Sequence, residues 1–360
     1  MEGLLKEAKK TYKKGLLRES LNIIETILEK TKGEYLEVYP DYISILIDLK
    51  DYQRAEEVLK KVKGVIEKDG SVSLLTAIKR LNARLLREKG ELEKAKKILN
   101  EILNSKGLSD EEKGKVNFSL GRIYFLQGDY DRAERHFTES EINFRGTSLI
   151  EEEGWATLWK AKISRIRGEW ARVNDMLKIL FREFTERAPL LYAYVLFERA
   201  LLSFEEGKKD EALELENLLE ETLENLRAPR LTIEMRLKLS NPLSVDAEEF
   251  KKVERRSRRI ISYLPKEESN LRGLAFCWIA YVLGYYGEKK EAEKLYKKAE
   301  KELEKASYEE KGLYLLLKLL TCMEFKEDKK AEKIIEILKD KRYPFYHRSI
   351  ALLTKKFARI

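Results

Sequence analysis

The sequence contains little proline and glycine, with six and 18 of these residues among 360. Sheet-rich folds and long disordered linkers use both residues for turns and breaks, so their scarcity argues against either. Cysteine is almost absent: Cys277 and Cys322 lie 45 residues apart, each within an apolar run. That spacing excludes a disulfide framework and a zinc-ligand pair. Both cysteines are therefore predicted to be buried apolar residues.

Long apolar runs are also missing. The longest nearly uncharged stretch, Leu274 to Gly287, has 14 residues, whereas a membrane-spanning helix needs about 20. The segment from Met1 to Leu21 carries charges throughout and lacks the apolar centre of a secretion signal. We therefore expect a soluble, cytoplasmic protein.

Catalytic motifs are absent as well. The sequence has no glycine-rich phosphate loop, no G-x-S-x-G elbow and no H-E-x-x-H zinc motif. Its two histidines, His136 and His347, are far apart, and His136 stands beside the apolar Phe137. We interpret His136 as a packing or surface residue. The prediction is a protein that is not an enzyme and uses no cofactor or metal.

Charged residues and strong helix formers dominate the composition. Charged residues make up 38% of the chain and hydrophobic residues 43%, with Leu, Glu, Lys, Ala and Arg the most frequent. Abundant Lys and Glu with few thermolabile residues is a bias of thermophile proteins. The net charge of +8 permits an acidic partner without requiring one, because it is a small excess over 64 acidic residues.

One segment shows a repeated unit most clearly. Counting from Gly114 as position 1, Leu120-Gly121 occupy positions 7 and 8, and Tyr124 occupies position 11. Gly128 follows at position 15, and the next slots are Ala133, Phe137 and Ser140 at positions 20, 24 and 27. Small residues at positions 8 and 20 let two helices approach closely, and large residues at 11 and 24 fill the space between them. This pattern resembles the tetratricopeptide repeat (TPR) residue by residue.

The same frame recurs along the chain. Units begin near residues 1, 36, 76, 114, 154, 193, 234, 273 and 312. The turn glycine and the small residue at position 20 pair as Gly15/Ser20, Gly90/Ala95, Gly128/Ala133, Gly207/Ala212 and Gly287/Ala292. The units are longer than the family's usual repeat and resemble the superhelical domains of MalT-like and Rap-type regulators. The resemblance implies an all-α, right-handed α-solenoid of about nine helical hairpins.

Two segments depart from the regular frame. Asn241-Pro242 interrupts the seventh unit, and because proline disrupts a helix interior we predict an irregular unit at 231–264. Residues 344–360 carry Ile350, Leu353 and Phe357 at one-face spacing and are predicted to form a C-terminal capping helix. The whole chain, 1–360, is otherwise interpreted as a single array.

The resemblance also implies a binding surface, because first helices line the concave groove of such solenoids through positions 2, 5, 9, 12 and 13. In units three to five these positions combine arginines with aromatic residues, the types enriched at binding hot spots. The predicted partner-binding residues are Arg80, Arg84, Arg87, Phe118, Arg122, Phe125, Trp155, Lys162 and Arg165. An alternative is that the aromatics fill the superhelix and the arginines pair with neighbouring acids.

The leading functional hypothesis is a protein-interaction scaffold whose groove binds an acidic segment of a partner. A regulatory sensor that binds a peptide or small effector is one alternative, and a nucleic-acid-binding solenoid is another. The run from Lys251 to Arg259 supplies six cations on one face of a helix. That face is either simply solvated or a phosphate-contacting patch on the convex side.

Overall fold

The computed structural model describes residues 1–13, 16–49, 51–69, 71–226, 229–239, 247–264, 266, 269–304, 306, 308–340 and 342–343. These residues form 18 α-helices and one short 3-10 helix at Leu36–Val38, with no β-strand among them. The all-α prediction is confirmed. The helices are α1 Glu2–Lys13, α2 Leu17–Lys30, α3 Tyr39–Asp48, α4 Tyr52–Asp69, α5 Val72–Glu88, α6 Leu92–Leu103, α7 Asp110–Leu126, α8 Tyr130–Phe144, α9 Ile150–Ile166, α10 Trp170–Phe184, α11 Pro189–Glu206, α12 Lys209–Asn225, α13 Pro229–Leu239, α14 Ala247–Tyr263, α15 Ser269–Tyr285, α16 Lys289–Glu302, α17 Tyr308–Glu324 and α18 Asp328–Leu338.

Helix starts follow from local chemistry where a short polar residue precedes the helix. Ser109 forms a capping box with Glu112 at the start of α7: its side chain accepts from the Glu112 backbone N–H, and Glu112 accepts from the Ser109 backbone N–H. Asp129 likewise accepts from the Arg132 backbone N–H at the start of α8. Such caps satisfy N–H groups that no helix carbonyl can reach.

The packing order is that of a solenoid. Consecutive helices pack against one another from α1 to α13 and again from α14 to α18. First helices also pack against first helices of the following units, as in the pairs α3–α5, α5–α7, α9–α11, α11–α13, α13–α15 and α15–α17. Buried apolar side chains form a series of clusters along the stack. The odd-numbered helices therefore form one continuous layer, and the even-numbered helices pack on it.

The predicted repeat core is confirmed. Side chains at position 20 are fully buried in Ala95, Ala133, Ala212 and Ala292. Turn glycines at position 15 adopt positive φ angles, from +74° at Gly128 to +84° at Gly287. Gly15 of the first unit lies outside the described residues. At position 8 of the fourth unit, a Cβ added to Gly121 would lie 2.7 Å from the Phe137 ring. A small residue at position 8 is therefore a packing requirement.

The seventh unit contains two helices, α13 before Asn241-Pro242 and α14 after it. Asn241 and Pro242 themselves lie outside the described residues, so the irregular unit at 231–264 remains a prediction. The capping helix predicted at 344–360 also lies outside them.

Candidate binding surface on the first helices

Side chains from three consecutive first helices meet on one face of the odd-numbered layer. Tyr12 on α1 donates a hydrogen bond from its hydroxyl to the Asp48 carboxylate on α3. Arg84 on α5 forms an ion pair with the same carboxylate and donates to Ser44 Oγ at 2.7 Å. We call this face the first-helix wall and define it by Tyr12, Ser44 and Asp48 together with the nine residues predicted from the sequence.

The Asp48 carboxylate favours the protonated forms of both Tyr12 and Arg84. Burial and the neighbouring Asp48 carboxylate raise the pKa of Tyr12 to about 12, so the tyrosine remains a hydrogen-bond donor. Burial alone would lower the pKa of Arg84, but the negative charges of Asp48 and other neighbours outweigh it and raise the pKa overall. Arg84 is therefore a positioned cation that already has a carboxylate partner. Arg84→Glu would place a second carboxylate beside Asp48, which makes charge reversal there unsuitable as a probe of binding.

Arg87 lies one turn further along α5 and is buried. Its guanidinium donates to Glu88 Oε1 at 2.7 Å. The Nε atoms of both Arg84 and Arg87 are buried without a hydrogen-bond partner among the residues the structure describes. Buried donors without acceptors are uncommon and mark a place where an additional acceptor would be favourable.

A second network joins α9 to α11. Arg165 Nε donates to Glu198 Oε2 at 2.8 Å, and another of its nitrogens donates to Glu205 at 2.5 Å. Lys162 Nζ lies 3.8 Å from the other Glu198 oxygen. Arg165 and Glu198 are both about 4% exposed. These cations are therefore satisfied within the protein.

The aromatic residues of the wall divide into buried and accessible ones. Phe125 is buried edge-to-face against Trp159, with ring centroids 5.0 Å apart. Phe118 packs against Phe137 and Trp155 against Tyr194, and both remain partly exposed. Phe125 thus stabilises the α7–α9 packing, whereas Phe118 and Trp155 keep apolar surface on the wall.

Arg80 and Arg122 differ from the other cations of the wall. Both are partly exposed, and neither forms an ion pair in the part of the chain that the structure describes. Burial and the positive charge of Arg84 lower the pKa of Arg80 to about 10. Burial and the positive charges of Arg87 and Arg84 lower the pKa of Arg122 to about 9, while its guanidinium stacks on Trp159 at 5.4 Å. Among the described residues neither charge has an ion-pair partner, and the nearby carboxylates of Glu112 and Glu88 only partly offset the lowering of the two pKa values.

The nine predicted residues thus lie on α5, α7 and α9, with different surroundings. Arg84, Arg87, Lys162 and Arg165 have carboxylate partners, Phe125 is in the core, and Arg80 and Arg122 form no ion pair with any residue that the structure describes. Sequence reasoning did not identify Glu198, at position 6 of the sixth unit, because that position is not among those read for the groove. Glu205, at position 13 of the same unit, could have been found as the acidic counterpart of Arg165.

Outside the wall, the basic run predicted from the sequence lies along α14. On α14 the side chains of Lys251, Lys252, Arg255, Arg258 and Arg259 are exposed, with Phe250, Val253 and Ile260 buried on the other side. Both cysteines are buried, as predicted. Across the described ranges no group of His, Cys, Asp and Glu is arranged to hold a metal ion. Within the same ranges, no helix is both long and apolar enough to span a bilayer.

His136 packs as predicted: its ring stacks on Tyr124 at 5.2 Å and its Nδ1 lies 2.9 Å from Asn117 Oδ1. Burial lowers its pKa below the ordinary 6.5, partly opposed by Glu139. Because the unfolded chain then binds a proton more readily, stability is full above pH 6.5 and decreases as the pH falls through the folded pKa. We expect the melting temperature to fall between about pH 7.5 and about pH 5, with a shallower decrease in His136→Gln. Equal slopes for both proteins would contradict this assignment.

The sequence has no significant match to models of known protein families or to curated proteins. The structure is similar to that of a Rap protein complexed with competence and sporulation factor, with 13% identity, 91% of this chain and 99% of that chain covered, and a TM-score of 0.63. It is also similar to a chain of the APC/C hetero-tetramer Cut9–Hcn1, with 12% identity, 87% of this chain and 55% of that chain covered, and a TM-score of 0.57. The fold is therefore a TPR-like helical solenoid.

Proposed function

We propose that this protein is an interaction scaffold that binds an acidic segment of a partner protein along the first-helix wall. The observation that carries the proposal is the pair Arg80 and Arg122, which lack ion-pair partners among the described residues and whose pKa values burial and neighbouring arginines lower. A bound carboxylate near either guanidinium would offset the repulsion from Arg84 and Arg87 and raise both pKa values. Such a ligand therefore gains charge-assisted hydrogen bonds.

The surroundings of these arginines favour a polypeptide over a small anion. The positive charge of Arg84 lowers the pKa of both Arg80 and Arg122. These two arginines lie on different helices, α5 and α7. An extended peptide can place one carboxylate near Arg80 and another near Arg122. A single compact anion would contact only one of the two arginines. Phe118 and Trp155 offer partly exposed rings beside the charges, and aromatic surface of this kind binds apolar side chains.

The similar structures support a binding role for the fold. The Rap protein was crystallised in complex with competence and sporulation factor, and the Cut9–Hcn1 chain belongs to a hetero-tetramer. Both structures therefore contain more than the solenoid chain alone. For this chain, the acidic character of the segment and the position of its site rest on the first-helix wall.

The test uses peptides selected on the immobilised protein from a random library of short sequences. Arg80→Gln combined with Arg122→Gln should weaken binding of the selected acidic peptide at least about tenfold, since each charge-assisted hydrogen bond contributes roughly 1.5 to 3 kcal/mol. Fluorescence anisotropy measures the dissociation constant. The melting temperature of this variant should fall little, because the two charges have no ion-pair partner among the described residues and Arg122 loses only its stacking contact with Trp159.

The matched control is Arg255→Gln with Arg256→Gln, which removes the same charge from the basic face of α14. We expect this variant to bind the peptide like the unmodified protein. If the α14 pair is necessary and the wall pair dispensable, the proposal is overturned. A labelled single-stranded oligonucleotide distinguishes the rival function, since its binding would weaken steeply with salt.

A further inference from the structure

Two contacts join parts of the solenoid that are far apart in sequence. Lys13 at the end of α1 forms an ion pair with Glu151 at the start of α9, 138 residues away, at 3.2 Å. The Tyr130 hydroxyl at the start of α8 donates to the backbone carbonyl of Arg342, 212 residues away, at 3.1 Å. In a solenoid, units contact only their neighbours, so such contacts mean that the coil has returned on itself.

The two contacts differ in solvent exposure and in how closely their atoms approach. The Lys13–Glu151 pair is exposed, and exposed pairs contribute little. At the other contact, a Cβ added to Gly128 would lie 2.8 Å from Arg342 Cγ, 3.1 Å from its Cβ and 3.3 Å from its Cα. Arg342 therefore lies so close to Gly128 that a Cβ at position 128 would require Arg342 to shift. Tyr130, the neighbouring partner, is buried.

The C-terminal side of this contact is itself well supported. The Arg342 guanidinium donates to the Asp340 carboxylate from two nitrogens at 2.9 Å and to the Tyr308 hydroxyl at 3.1 Å. Tyr343 packs edge-to-face on the Tyr308 ring, with centroids 5.3 Å apart. The carbonyl of Arg342 is therefore presented by a turn that α17 and α18 hold in place.

We propose that Gly128, Tyr130 and Arg342 form a latch that holds the superhelix in its compact state and limits access to the first-helix wall. The latch joins the fourth hairpin, whose first helix carries Arg122, to the end of the ninth unit. It consists of one neutral hydrogen bond and one close contact between Gly128 and Arg342, so its release costs little compared with unfolding a hairpin. The access part of this proposal rests on the proposed function, whereas the compaction part does not.

The first test compares two glycines with matched backbone geometry. Gly128 and Gly287 both occupy turn position 15 with positive φ, but an added Cβ at Gly287 meets no atom within 4 Å. Alanine at either position bears the same backbone strain, and only Gly128→Ala forces Arg342 away. We expect small-angle X-ray scattering to show a larger radius of gyration for Gly128→Ala and an unchanged one for Gly287→Ala. Equal radii for the two variants and the unmodified protein would overturn the latch.

A milder variant measures the hydrogen bond alone. Tyr130→Phe keeps the ring and removes the donor to the Arg342 carbonyl. The open population should rise about fivefold, equivalent to about 1 kcal/mol. Hydrogen exchange of the amides around residue 342 should accelerate by that factor, while the amides of α11 exchange as before. Unchanged exchange near residue 342 would count against the latch.

The second test locks the contact with Gly128→Cys and Arg342→Cys. The Cβ separation of 3.1 Å is a few tenths of an ångström below the usual disulfide range of roughly 3.5 to 4.5 Å. Burial raises the pKa of the two native thiols, so they should not compete. Mild oxidation should form the disulfide, and the locked protein should bind the selected acidic peptide more slowly until reduced. Failure to form the disulfide, or unchanged association in the locked form, would overturn the latch, whereas absence of peptide binding in the unmodified protein would overturn the proposed function.

Discussion

Glu198→Ala should lower the free energy of unfolding by about 3 kcal/mol, the lower end of the range for breaking a buried ion pair. The Glu198 carboxylate accepts from Arg165 Nε at 2.8 Å and lies 3.8 Å from Lys162 Nζ, and it is buried. Alanine at position 198 would remove this carboxylate and leave the charges of Arg165 and Lys162 in a poorly hydrated site. Arg165 keeps Glu205 as a partner, which places the loss at the lower end. Denaturant unfolding followed by circular dichroism measures it.

Two further variants identify the cause. Glu183→Ala removes an exposed carboxylate from α10 and should change stability by no more than about 0.5 kcal/mol. Glu198→Leu combined with Arg165→Met removes both members of the main pair and should recover part of the loss, because apolar replacement of a buried pair is often close to neutral. If the double variant is instead less stable than Glu198→Ala, the loss of stability comes from disrupted packing. The unpaired charge would then not explain the effect.

The hairpin core could be predicted from the sequence because its determinants are local. Gly121 and Ala133 lie 12 residues apart on either side of a single short turn, and both are buried. The structure places the Phe137 ring beside Gly121, where a larger residue would not fit. The same spacing recurs in other units, as between Ala83 and Ala95, which are both buried.

The pairing on the first-helix wall could not be predicted in the same way. It depends on how far each unit rotates relative to the one before, which helix periodicity within a unit does not determine. Position 12 illustrates this: Arg165 at that position pairs with Glu198 and Glu205 of the next unit, whereas Phe125 at the same position turns into the core against Trp159. Fewer cations of the wall are therefore uncompensated than the sequence suggested.

Closure of the coil depends on the same rotations summed over several units. A small change in the angle between hairpins would move Arg342 away from Tyr130, although every local contact would remain. The sequence carries no periodic signal for such a contact, because Tyr130 and Arg342 belong to units five repeats apart. The glycine at position 128 was predicted as a turn residue, and its second role in admitting Arg342 is visible only in the structure.

Trp278→Ala should have the largest effect on stability, a loss of about 3 to 5 kcal/mol of unfolding free energy. Trp278 on α15 is fully buried and belongs to a cluster shared by α13, α14, α15 and α16. Its indole N–H also donates to the Leu237 carbonyl at 3.0 Å. Leu237 lies in the last turn of α13, where carbonyls have no partner within the helix, so Trp278 supplies the missing donor.

Trp278→Phe separates these two contributions. Phenylalanine retains most of the buried ring and loses the donor, which should cost about 1 to 3 kcal/mol for the unsatisfied carbonyl, clearly less than the alanine variant. Trp170→Ala, at a half-buried tryptophan of α10, is the control for losing an indole ring and should cost less than Trp278→Ala. Thermal unfolding by circular dichroism gives the order. If Trp278→Phe is as stable as the unmodified protein, the end of α13 does not depend on this hydrogen bond, and the seventh unit is held by apolar packing alone.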